Sequence, residues 1–141
     1  MEQNGERRNR CSDLEFGGYV PGKFSSGVEG GRIAAFADLG TEETLAARYS
    51  VAETVGGGQA FASIRLDLGK LSIGRKTRQE LGGTEVLFGK LQSGANAAIS
   101  AGHIYVLRIG DEHDPTHNVF VKFLVVVYAP GESVTIRWKV L

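Results

Sequence analysis

A chain of 141 residues is long enough to bury one hydrophobic core, and 42% apolar with 23% charged residues is the composition of a folded domain, which excludes wholesale disorder. Its 16 basic residues balance 16 acidic ones, which excludes the long-range positive field of a general nucleic-acid binder. The single cysteine, Cys11, excludes an intrachain disulfide framework and a cysteine-based zinc cluster.

Residues 1–13 read as a polar tail ahead of a single β-rich domain over 14–141. The tail has no apolar h-region and no apolar run approaches the ~20 residues of a membrane helix, so a soluble, cytoplasmic protein is expected. Glycine supplies 20 residues, twice the usual share of about 7%; placed between short apolar runs, it marks frequent turns. Phe16-Gly17-Gly18-Tyr19-Val20-Pro21-Gly22 reads as short strands joined by a Pro-Gly turn. The string from Gly17 to Lys23 fits the first seven positions of a phosphate-binding loop. Phe24 stands where a magnesium-binding hydroxyl is required, and no helical period follows, so the string is read as a turn.

Arg32 to Leu39 is expected to be a strand. The segment 41–55 supports two readings. Thr41 followed by Glu42 and Glu43 resembles a capped helix start. Leu45, Ala47, Tyr49 and Val51 also fall on one face at period two, and this strand reading is preferred. Gly56 to Gly58 would then be a hairpin loop into a strand from Gln59 to Leu68, with Ala60, Ala62, Ile64, Leu66 and Leu68 on one face. Short strands or bends are expected at 71–73 and 84–91, and one helical turn at 77–81.

The C-terminal third is the clearest. His103–Ile109, Asn118–Tyr128 and Ser133–Val140 predict a three-stranded antiparallel meander, with a Pro-Gly turn at Pro130-Gly131. The last strand alternates Val134, Ile136, Trp138 and Val140 inward with Ser133, Thr135, Arg137 and Lys139 outward. The middle strand is apolar on both faces, so a second layer or a partner chain is expected to pack on it. The expected fold is all-β and mainly antiparallel: a two-layer β-sandwich or flattened barrel with at most one short helix.

Two groups of residues bear on chemistry. Asp111, His113, Asp114 and His117 sit in one loop between the first two strands of the meander. They combine carboxylate and imidazole donors, which a divalent metal could use; the competing reading is a solvated hairpin loop rich in turn formers. Arg75, Lys76 and Arg78, with Lys70 and Lys90 as neighbours, could bind a polyanion. They lack interleaved aromatics, and Glu80 and Glu85 are close, which argues for an ordinary solvated surface. No G-x-S-x-G elbow surrounds Ser25, Ser26, Ser93 or Ser100. Trp138, Tyr105, Tyr128 and Phe120 read as core rather than as a ligand groove.

The expected function is a non-enzymatic β-sandwich module for binding or assembly, self-associating or joined to a protein partner, without membrane contact and without a required cofactor. Near-zero net charge lowers the barrier to such association. The alternative is a small-ligand or metal-dependent β-barrel enzyme using the 111–117 loop. A weaker one is a polyanion or nucleic-acid accessory domain using Arg75, Lys76 and Arg78.

Overall fold

The computed structural model describes residues 14–17, 22–26, 31–51 and 58–141. Among them, the order is β1 (Glu15–Phe16), β2 (Lys23–Ser26), β3 (Arg32–Thr41), α1 (Glu42–Tyr49), α2 (Gln59–Ala62), β4 (Arg65–Asp67), β5 (Lys70–Ile73), β6 (Gln79–Glu80), a 3-10 turn (Glu85–Phe88), β7 (Ala95–Ala98), β8 (His103–Asp111), β9 (Asn118–Ala129) and β10 (Ser133–Val140). The tail expected over 1–13, residues 18–21 of the glycine-rich string, and residues 52–57, with Gly56 and Gly57 of the expected hairpin loop, lie outside the described residues.

The meander forms as expected and recruits β3, giving a central antiparallel sheet in the order β10-β9-β8-β3. Its β9–β10 turn follows from Pro130 and Gly131. Gly131 has φ +78°, and Glu132 N–H donates to the Ala129 carbonyl at 2.9 Å, the geometry of a type II turn. The doubly apolar β9 is covered on both sides. On one face Phe123 and Val125 join Tyr105, Leu107, Ile109 and Ala34 beneath the small sheet β1-β2-β7, with Phe24 at the centre. Tyr105 and Phe123 stack at 4.9 Å, and Phe24 meets both rings edge-on. On the other face Phe120, Ile104, Val106, Ala35 and Ala37 pack against α1, α2, the β4-β5-β6 sheet and Leu87 of the 3-10 turn.

The architecture is thus mainly antiparallel β and sandwich-like, with no closed barrel. The sheets stay open, so the flattened-barrel form of the expectation is not adopted. No described helix is long and apolar enough to cross a membrane.

Several segments differ from expectation for identifiable reasons. Residues 42–49 are helical, because Thr41 closes a reciprocal capping box. Its Oγ1 accepts from Thr44 N–H at 3.2 Å, and Thr44 Oγ1 accepts from Thr41 N–H at 3.1 Å. The helix buries Leu45 and Ala46, which a strand at period two would have sent to opposite faces. Gln59–Leu68 divides into α2 and β4, and Leu68 stands fully exposed at a hairpin tip with φ +51°. The 84–91 segment contains the 3-10 turn, whereas 77–81 holds the short β6 rather than a helical turn. Lys23–Ser26 is a strand, so no helix begins after the glycine-rich string.

Candidate functional site

The two edges of the central sheet are treated differently. At the β3 edge, Ala34 exchanges both backbone hydrogen bonds with Gln92, at 2.8 and 3.0 Å, and a bulge interrupts the ladder between Asp38 and Gly40. Such features block further pairing. At the opposite end β10 pairs only with β9 among the described residues, and no other strand or isolated bridge pairs with its outer side there.

The side chains of β10 sort by parity. Val134 and Ile136 join the core, as expected. Trp138 and Val140, expected inward, remain 37% and 51% exposed. The covering strands β1, β2 and β7 have only two to four residues each. The β10–β9 register sets Trp138 opposite the buried Phe123 and Val140 opposite Val121, so an exposed apolar strip continues the core outward. Val126 and Val127 are also exposed, next to the register shift between Thr135 and Ile136. Of the other aromatics, Tyr105 and Phe120 are buried and Tyr128 is half-buried against Phe16.

The other face of β10 is basic. Arg137 and Lys139 are exposed, and Lys139 lies directly opposite Lys122 of β9. Lys122 is the residue that sequence reasoning passed over, although a lone lysine inside Val-Phe-Val-Lys-Phe-Leu-Val was its signal. It is 3% exposed. Its Nζ donates to the carbonyls of Phe61, Ala62 and Ile64 at 2.6, 3.1 and 3.1 Å, and lies 4.8 Å from the Phe61 ring centre. Phe61 and Ala62 end α2 and Ile64 lies two residues beyond it, so the ammonium places its three donors on carbonyls at and just past the helix C-terminus. Burial, followed by the charges of Lys139, Arg65 and Arg78, pushes the ammonium down to about 8.

The basic group expected at Arg75, Lys76 and Arg78 is divided by the fold. Arg78 turns inward: Nη1 donates to the carbonyls of Ser63, at 2.8 Å, and Gly74, and Nη2 donates to Ser72 Oγ at 2.6 Å. Gly74 holds this turn at φ +116°, where a Cβ would lie 2.1 Å from the Thr77 carbonyl oxygen. Arg75 donates to Gln59 Oε1 at 2.9 Å, and Lys76 is exposed. An open cleft of about 420 Å³ lies beside this sheet, lined in part by Lys70, Glu80, Glu85 and Phe88.

The 111–117 loop uses its polar groups internally. Asp111 Oδ1 accepts from His113 N–H at 2.8 Å, and Oδ2 lies 3.6 Å from Arg32. Asp114 accepts from the Thr116 hydroxyl at 2.6 Å and its N–H at 3.0 Å, which holds the carboxyl below its usual range. His113 is exposed, 3.8 Å from Glu112, while His117 Nε2 is buried without a hydrogen-bond partner. Among the described residues, no group of three or more His, Cys, Asp or Glu side chains is placed to hold a metal ion.

Comparison with protein families, with curated proteins and with solved structures finds no match for the chain.

Proposed function

We propose that this chain is a non-enzymatic β-sandwich module for binding and assembly, which works by receiving a strand from another polypeptide on the outer edge of β10. The observation that supports the reading is the asymmetry of the central sheet: the β3 edge carries the Gln92 bridge at Ala34 and a bulge, while the eight-residue β10 has no strand pairing on its outer side among the described residues, beside exposed Trp138 and Val140. Backbone groups of an open edge supply affinity in strand addition, and alternate side chains supply selectivity.

A second reading, homodimerisation through the same edge, is favoured by one feature. An antiparallel β10 pair centred on Ile136 would set Val134 against Trp138 of the copy, a small residue against a large one on the apolar face.

Selection of random peptides on the folded chain tests the proposal. Enriched peptides are expected to alternate apolar and polar residues with period two and to lose binding to a Trp138→Pro variant, because the Leu141 N–H to Phe120 carbonyl bond and the register leading to it turn the Trp138 N–H to the outer side of β10. Peptides that bind that variant equally well would place recognition elsewhere. A stable dimer in native mass spectrometry would establish the second reading.

A further inference from the structure

Resting on the strand-addition reading, we infer that the strand received by β10 belongs to a different polypeptide and alternates acidic with apolar residues, its carboxylates facing Arg137 and Lys139 and its apolar side chains covering Trp138 and Val140. The charge arrangement around the turn at 63–65 carries this. Lys122 Nζ donates to the Ile64 carbonyl at 3.1 Å, Arg78 Nη1 to the neighbouring Ser63 carbonyl at 2.8 Å, and Arg65 comes next in the chain. Lys139 stands directly across the ladder from Lys122, with Arg137 two residues before it on the same face.

Five cationic side chains therefore gather on this face of the sheet margin. Among the described residues, the side-chain carboxylates next to them in the β4-β5-β6 sheet form no ion pairs with them. Glu80 shares a cross-strand row with Arg65 through Ser72, and Asp67 lies two residues beyond Arg65. Among the described residues neither makes an ion pair with any of the five. Glu42 is held by backbone amides of α2. Like charges directly opposite on a ladder destabilise it. An acidic residue opposite Lys139 on an added strand, with its Cβ about 5 Å from that of Lys139, would relieve that repulsion, whereas a further cation would add to it. Because side chains alternate, the same strand presents its intervening residues to Trp138 and Val140. A second copy fits this face poorly. Centred on Arg137, the pair sets Arg137 against itself; centred on Ile136, it sets the two arginines diagonally and brings no carboxylate.

Trp138 is the sole tryptophan, so its fluorescence reports occupancy of β10. Three capped eight-residue peptides alternating valine with glutamate, glutamine or lysine are titrated into the full chain. The expected order is glutamate, then glutamine, then lysine, with about a tenfold gap between the first two that closes in high salt. In an R137E/K139E double variant of these exposed residues, the order should reverse. Equal binding of the glutamate and glutamine peptides would overturn the acidic inference while leaving strand addition intact. Binding by none of the three would overturn strand addition, and this inference with it.

Discussion

Glu42 and Lys122 hold opposite ends of the same one-turn helix. Glu42, reaching from α1, accepts from the Ala60 and Phe61 amides at 2.6 and 2.9 Å, while Lys122, reaching from β9, donates to the Phe61, Ala62 and Ile64 carbonyls. Four residues cannot sustain a helix alone, since nucleation is unfavourable and nearly every backbone group is terminal. Gly58, at its N-cap, offers no side-chain bond. The two charged side chains supply at both ends what local sequence lacks, each with the sign that suits the helix dipole. Glu42→Ala and Lys122→Met are each expected to lower stability in urea unfolding by about 1–3 kcal/mol. The double variant should lose less than the sum, because either change frees the same helix.

The lowered ammonium of Lys122 leads to an expected pH dependence of stability. Its folded value of about 8 lies below the unfolded lysine value of about 10.4. Below pH 8 both states carry the proton; between the two values the unfolded chain binds more protons than the native one. Stability from this group should therefore rise with pH across that window and be flat below it. Chemical denaturation at several pH values, compared with Lys122→Met, should find the slope absent in the variant.

Core and edge aromatics on one cross-strand pair should respond in opposite ways. Phe123 is fully buried, and Phe123→Ala is expected to cost about 3–5 kcal/mol. Trp138→Thr, on the exposed strip opposite it, should change stability by no more than about 1 kcal/mol while abolishing peptide binding at β10. Thermal melts and the peptide titration separate the two effects.

The capping box at α1 should be measurable by itself. Thr41→Ala removes the acceptor for Thr44 N–H and is expected to cost about 1 kcal/mol, read from the urea midpoint.

A metal held by Asp111, His113, Asp114 and His117 would stabilise the folded chain by mass action. With Asp111 and Asp114 already bonded within the loop, added zinc is expected to leave Tm unchanged. A rise in Tm that disappears in the His113→Ala/His117→Ala double variant would instead support the metal reading.

Hydrophobic alternation by itself determined the meander. β10 begins and ends at Ser133 and Val140, as the pattern implied, and β9 is buried on both faces over residues 120–125, where both parities are apolar apart from Lys122. Periodicity reports whether a face is buried, which is why it worked there and why it misled at Thr41, where a local hydrogen-bonded cap outweighed an equally visible period-two pattern. What covers a face, and how far, depends on residues distant in the chain. Only the tertiary structure decided that Trp138 and Val140 lie beyond the covering layer, that Gln92 bridges the β3 edge while β10 pairs on one side alone among the described residues, and that Lys122 ends a helix some 60 residues away. Burial of one end of a strand but not the other, and the assembly of cations around residues 63–65, arise from packing between elements that no local sequence window contains.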